Sequence, residues 1–335
     1  MRALRHRSPP QASVTRGATD YRAPRWLPGG HAQTIYASRL RHAAPRLRRE
    51  RVATADGDFW EFDWLDGAAS GPLTELFHGL EGSARSHYSR ALLHALAQRG
   101  HAAVVPHFRG CGGTLNRRPR AYHSGDYEEI AALLAAVRER AGNARPLYAV
   151  GVSLGGSALL NWLGRVEHGA RDLLVAAAAV SAPLDLTAAG IAIGQGFNRV
   201  YTRHFLASLK PKALRMAARF PGTLDPARIR AARTLRAFDD AVTAPLHGFA
   251  DAGDYWRRAS SKPWLAAVRL PTLVLNARND PFIPAESLVS TAQVSEAIVI
   301  EQPAHGGHAG FPGGRFPGHV GWLPARLLHF LEERG

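Results

Sequence analysis

From Arg51 onward the chain alternates two hydrophobic patterns. Short, mostly apolar runs of strand length exchange with stretches in which apolar residues recur every three or four positions. That alternation predicts a mostly parallel sheet covered by amphipathic helices. Residues 73–77, 102–105, 147–150, 173–180, 272–275 and 297–300 read as buried strands, and residues 51–64 read as a hairpin turning at Asp56-Gly57. Helices are expected over 86–98, closed by Gly100, and over 157–163 and 322–333. A further helix over 127–140 carries Ile130, Leu133, Leu134 and Val137 on one face, with Asp126 near its start.

Between Asp185 and Leu270 the alternation fails. The segment is Arg- and Ala-rich, helix-prone and broken by Pro211, Pro221 and Pro226, and it offers no strand. An insertion after a central strand is where a cap over an active site would sit. The expected organisation is a single domain over 26–335 with a cap insertion at about 185–268. Residues 1–25 mix Arg, Ser, Pro and Thr and read as a disordered basic arm.

Composition narrows this picture only in places. A length of 335 residues, 46% hydrophobic and 21% charged, suits one large globular α/β domain with an insertion. The longest apolar run, 173–180, falls far short of the roughly 20 residues a membrane span needs. No apolar leader core is visible near the N-terminus. The single cysteine, Cys111, rules out an internal disulfide and fits the cytoplasm. The formal charge is +15, yet Lys occurs only at 210, 212 and 262. The arginines look scattered beyond the first fifty residues, with no aromatics interleaved in a basic stripe. The charge therefore reads as compositional: no nucleic-acid partner is expected, and at most peripheral contact with an anionic membrane.

The candidate chemistry centres on Gly151-Val152-Ser153-Leu154-Gly155, between a strand and a helix. A nucleophile on so sharp a turn needs small residues two before and two after it, which Gly151 and Gly155 supply, and Gly156 permits close helix packing. A serine nucleophile needs a base, and the base an orienting acid, in the chain order Ser, acid, His for an α/β-hydrolase fold. Asp280 follows the strand at 272–275 and is the favoured acid; Asp185, after the preceding strand, is its rival. After the last strand either His305 or His308 can swing back toward Ser153, and His308 sits in a flexible Gly307 to Gly310 setting. Two backbone N–H groups should receive a substrate oxyanion: that of Leu154, and that of Leu80 in the loop His78-Gly79-Leu80-Glu81-Gly82. His78 reads as structural and Glu81 as a solvated or supporting charge. Two histidines three apart without a third ligand make a poor metal site, so no metal or cofactor is expected.

Other segments carry a resemblance beyond these residues. They are Gly30-His31-Ala32-Gln33-Thr34, Arg109-Gly110-Cys111-Gly112, Tyr122-His123-Ser124-Gly125, Asn279-Asp280-Pro281-Phe282 and Gly306-Gly307-His308. With the loop at His78 and the turn at Ser153, they make the chain from about Trp26 onward resemble the YheT-like esterases of the α/β-hydrolase superfamily. The resemblance implies a charge-relay triad of Ser153, Asp280 and His308, and so selects His308 over His305. It implies hydrolysis of carboxylic esters, with acylglycerols, phospholipids or medium-chain fatty acid esters among the substrates of relatives. The membrane anchor of many eukaryotic relatives does not carry over, because a polar basic arm stands in its place. The segment 30–34 is read as packing or loop architecture without a catalytic role.

The function expected is therefore a serine carboxylic ester hydrolase acting on a small-molecule, lipid-type ester through an acyl-enzyme. An acyltransferase using an alcohol acceptor, and a non-catalytic binding protein on the same fold, are the alternatives. Phe197, Tyr201, Phe205, Leu206 and Trp256 are candidates for an acyl pocket, with the core of the cap as their more ordinary role.

Overall fold

In the computed structural model, which describes residues 21–40 and 43–334, the apolar runs assemble into one eight-stranded sheet. The strands are β1 (Arg48–Ala53), β2 (Phe59–Leu65), β3 (Leu73–Phe77), β4 (Ala102–His107), β5 (Leu147–Val152), β6 (Ala176–Val180), β7 (Thr272–Leu275) and β8 (Ile298–Glu301). Their spatial order is β1-β2-β4-β3-β5-β6-β7-β8. The hairpin β1–β2 is antiparallel and β2 runs antiparallel to β4, and every later pair is parallel. The basic arm expected over 1–25 lies outside the described residues, apart from its last five.

The main-body helices are α1 (Gly30–Arg39), α2 (His87–Gln98), α3 (Tyr127–Ala141) and α4 (Leu154–Val166). They cover both faces, so the inner strands are largely apolar on both sides, with Thr74 and Glu75 of β3 the buried exceptions on that strand. Ala149, Ala177 and Ala179 face the layer that holds Leu133, Val137 and Leu159; Val150, Ala178 and Val180 face the layer that holds Leu92, Leu93 and Leu327. Each large apolar side chain buried this way contributes roughly 1.5–3 kcal/mol.

Six short to long helices fill the segment without strands: α5 (Leu186–Ala192), α6 (Arg199–Arg219), α7 (Pro226–Ala231), α8 (Leu235–Phe238), α9 (Ala244–His247) and α10 (Ala252–Ala259). They have a core of their own, in which Leu206, Leu209 and Met216 of α6 meet Ile229, Phe238 and Val242. The chain closes with α11 (Trp322–Glu332). Among the described residues no helix is long and apolar enough to cross a membrane.

Three local expectations are corrected. The strand expected over 173–180 starts only at Ala176, because the N–H groups of Leu173 and Leu174 both turn back to the Ala170 carbonyl. Pro211 does not break its helix: it sits inside α6, and both Pro211 and Ala207, whose carbonyl loses its donor, are exposed to water. The helix α1 is new. Its buried residues are Gln33, Thr34 and Ala37, so its inward face carries no apolar stripe to announce it.

The register brings the chemistry together. Phe77 is opposite Gly151, Val152 opposite Val180, Val180 opposite Leu275, and Leu275 opposite Glu301. The loops after β3, β5, β7 and β8 therefore leave the same edge of the sheet, the C-terminal edge where ligands gather in open α/β sheets.

Candidate active site

β5 ends at Val152 and α4 begins at Leu154, so the turn between them is Ser153 alone. Its backbone has φ 55° and ψ −121°, a conformation strained for a residue with a side chain. The turn is held by the Ser153 N–H, which donates to the Val180 carbonyl at 2.8 Å, and by the Ser157 N–H, which donates to the Ser153 carbonyl at 3.0 Å. The glycines around it are required by space. A Cβ on Gly151 would lie 2.6 Å from the Gly155 carbonyl oxygen, and one on Gly155 would lie 2.5 Å from the carbonyl oxygens of Phe77 and His78.

The loops bring three of the expected side chains into one chain of contacts. His308 Nε2 lies 2.9 Å from Ser153 Oγ, and its Nδ1 lies 2.8 Å from Asp280 Oδ2. Asp280 is buried, and its Oδ1 accepts the Phe282 N–H at 2.8 Å. Because Nδ1 faces a carboxylate, that nitrogen carries the proton in the neutral ring, leaving Nε2 to accept from Ser153. The ring of Phe282 packs on the imidazole with centroids 4.2 Å apart. His305 is exposed and meets Asn279 at 3.4 Å. Asp185 caps α5, accepting the Ala188 N–H at 3.0 Å.

Of the two readings of segment 30–34, packing or loop architecture, the contacts fit the second. Thr34 Oγ1 accepts the His308 N–H at 2.8 Å, while Gln33 Oε1 accepts the Gly306 N–H at 2.9 Å and the Asn279 side-chain N–H at 3.0 Å. Asn279 Oδ1 in turn accepts the Gly307 N–H at 3.0 Å. A Cβ on Gly30 would fall 1.8 Å from the Asn279 carbonyl oxygen. α1 thus holds the loops of Asp280 and His308 through polar contacts that span most of the chain.

The loop after β3 is fixed on both sides of Leu80. The Gly79 N–H donates to Tyr88 Oη and the Glu81 N–H to Tyr122 Oη, each at 2.8 Å. A Cβ on Gly79 would lie 3.0 Å from Ser153 Cβ, which measures how closely this loop passes the serine. Leu80 and Leu154 both line the cavity beside Ser153. His78 is fully buried; burial pushes its imidazole down to about 3, so it is neutral. Its Nε2 accepts the Phe108 N–H at 3.2 Å and its Nδ1 faces the Gly79 carbonyl at 2.8 Å. Glu81 is not the solvated charge that was one reading of it: Tyr122 Oη donates to its Oε1 at 2.9 Å and Lys212 Nζ at 2.7 Å. Burial acts to lower the Lys212 ammonium, but the neighbouring Cys111 sulfur and the Glu81 carboxylate outweigh it and hold it above its ordinary value.

Ser153 and His308 open into a cleft with about 1210 Å³ of empty space, part of it open to solvent. Leu186, Phe205, Leu209, Met216 and Trp256 of the insertion line it opposite Leu80 and Leu154. Of the five aromatic and apolar candidates, Phe205 and Trp256 line the cleft, Leu206 belongs to the insertion's core, Tyr201 packs on Phe282 and Phe197 is exposed. Charged groups interrupt the apolar wall: Glu81, Arg109, Arg120, Lys212 and Asp239 also line the cleft. Burial pushes the Asp239 carboxyl up to about 6, while Thr243 and Trp256 donate to it at 2.6 and 2.9 Å.

Fold and site together define an α/β hydrolase, and the family model for the alpha/beta hydrolase fold matches residues 76–314. YheT of Escherichia coli (strain K12), named for esterase activity, is 40% identical over 288 residues, covering 84% of this chain and 84% of that protein. Phospholipase ABHD3 of Homo sapiens is 29% identical over 318 residues, covering 92% of this chain and 77% of that protein. The solved structure of the Pyrococcus furiosus esterase PF2001 superimposes with a TM-score of 0.57 at 16% identity, over 87% of this chain and 92% of that one. The chain belongs to the α/β-hydrolase family and, within it, to the YheT-like esterases, a group of esterase- and lipase-type hydrolases.

Proposed function

We propose that this chain hydrolyses carboxylic esters of the acyl-lipid type, through an acyl-enzyme formed on Ser153. The observation that carries the reading is the continuous set of contacts from Ser153 Oγ to His308 and on to Asp280. His308 Nε2 takes the serine proton as Oγ attacks the ester carbonyl, and Asp280 stabilises the imidazolium that results. The N–H groups of Leu80 and Leu154 receive the oxyanion. Collapse of the tetrahedral intermediate expels the alcohol, which takes the proton from His308. A water activated by the same imidazole then releases the acid.

We read the helices from Leu186 to Ala267 as a cap and the rest of residues 26–335 as the domain beneath it. The apolar wall of the cleft supports an acyl chain as the group bound there, and the names of the relatives point the same way. We take the compartment to be the cytoplasm. The test is a chain-length series of p-nitrophenyl esters followed before the steady state. The expected result is a burst of nitrophenolate equal to the enzyme concentration, with kcat/KM rising from acetate toward longer acyl chains. Absence of turnover across the whole series would refute the reading.

A further inference from the structure

The positive charge of the chain is not scattered. Residues 1–50 hold eleven Lys and Arg against two acids, and residues 186–238 hold ten against one. All other residues hold 21 against 24, a slightly acidic remainder. The expectation of dispersed arginines therefore fails for the insertion. Eight of its ten cations are arginines, all exposed. Among the described residues, the single ion pair made by any of the ten is that of Lys212 with Glu81. Arg199, Arg203, Leu206 and Lys210 recur along one face of α6 and meet Arg233 around a surface groove that no acidic side chain lines. Lys210 Nζ braces it by donating to the Arg230 and Ala232 carbonyls at 2.6 and 3.1 Å.

The stretch of chain that carries Arg199 and Arg203 also exposes apolar side chains. Ile191, Phe197 and Val200 are 49%, 54% and 48% exposed, three of the four exposed large hydrophobic side chains among the described residues. Phe197 connects to the site through a chain of rings: it lies 6.2 Å from Tyr201, Tyr201 lies 4.7 Å from Phe282, and Phe282 lies 4.2 Å from the His308 imidazole.

We propose that this face of the insertion docks on an anionic phospholipid surface, with Ile191, Phe197 and Val200 entering the headgroup region and Arg199, Arg203 and Arg233 binding lipid phosphates. Guanidinium groups match phosphate oxygens in bidentate geometry. Charge alone would suit a nucleic acid as well, but exposed Ile191 and Val200 gain nothing from a phosphodiester backbone and gain by leaving water for lipid. Three such side chains in the stretch of chain that carries Arg199 and Arg203 make the combined apolar and electrostatic signal of a membrane surface.

The test is cosedimentation of the full chain with phosphatidylcholine vesicles, with and without phosphatidylserine. Binding is expected to need phosphatidylserine and to fall steeply at high salt. Arg199→Glu with Arg203→Glu and Arg233→Glu should weaken it at least about 100-fold, since loss of each basic residue near an anionic leaflet costs about five-fold and reversal adds repulsion. Ile191→Ser with Val200→Ser should weaken it at low salt as well. Both variants should keep their melting temperature and their hydrolysis of a soluble short ester. Replacing Arg2, Arg5, Arg7 and Arg16 by Gln should leave most of the binding intact. The proposal is overturned if the wild type ignores phosphatidylserine vesicles, or if binding survives the triple reversal and disappears with the four arm substitutions. It is equally overturned if inorganic phosphate displaces the protein from vesicles, or if the face binds an oligonucleotide and no vesicle.

Discussion

Asp280 and Thr34 do different jobs for one imidazole. Asp280 Oδ2 faces Nδ1 and keeps the proton there, so Nε2 is free to accept from Ser153. Asp280→Asn presents an amide that can hold the wrong tautomer, and kcat should fall on the order of 10⁴-fold while the thermal melt stays close to wild type. Thr34 Oγ1 holds the His308 backbone instead. Thr34→Val leaves that N–H without its acceptor, which costs about 1–3 kcal/mol of local stability. It should lower kcat about 10- to 100-fold at unchanged KM, because small displacements of a catalytic group are costly, and Thr34→Ser should restore it. A fall in KM affinity alone, with kcat intact, would remove Thr34 from this positioning role. Ser153, Asp280 and His308 were legible because each follows a strand in a fixed chain order. Gln33 and Thr34 were not, because they act on the backbone of a loop about 270 residues away.

At the scale of elements, the strand–turn–helix around Ser153 depends on close backbone approach. Gly155→Ala would put a methyl 2.5 Å from two main-chain carbonyl oxygens at the end of β3. Neither oxygen belongs to a flexible side chain, so the loop carrying Leu80 must move. Ester hydrolysis should drop at least about 100-fold even in material that folds, and a near-wild-type rate would show that the turn tolerates the displacement. The strands and amphipathic helices could be read from periodicity because their burial follows it. The boundary of β6 could not, since Leu173 and Leu174 are apolar yet belong to a turn closed on Ala170. The helix α1 was invisible for the opposite reason, that it buries polar side chains. Pro211 misled because the loss of a helical hydrogen bond is mild where the abandoned carbonyl faces water.

For the whole molecule, stability should depend on pH through a group remote from the cleft. Glu75 is fully buried at the centre of β3, and neither of its carboxyl oxygens meets a hydrogen-bond partner among the described residues. Burial pushes its carboxyl well above the ordinary value, against the opposing pull of Arg138. The folded chain therefore keeps a proton that the unfolded chain releases. Stability from this site is complete below the unfolded value and is lost as pH rises toward the folded one, at about 1.4 kcal/mol per pH unit. Glu75→Gln should flatten that fall and raise the melting temperature most at the alkaline end; an unchanged pH profile would mean that Glu75 is ionised in the fold. Glu75 stands in a short buried strand, and only the packing reveals that its carboxyl oxygens meet no hydrogen-bond partner among the described residues. Charge was misjudged at the same scale: an even count along the chain conceals that its excess lies in residues 1–50 and 186–238.

The central claim is that Ser153 is a nucleophile activated by His308. The most direct measurement is covalent labelling by a fluorophosphonate probe, with the modified peptide located by mass spectrometry. The account predicts one phosphonylated residue, Ser153, no labelling in Ser153→Ala, and labelling of His308→Ala slowed by several orders of magnitude. Modification of another residue, or labelling of Ser153 at an undiminished rate without His308, would contradict it.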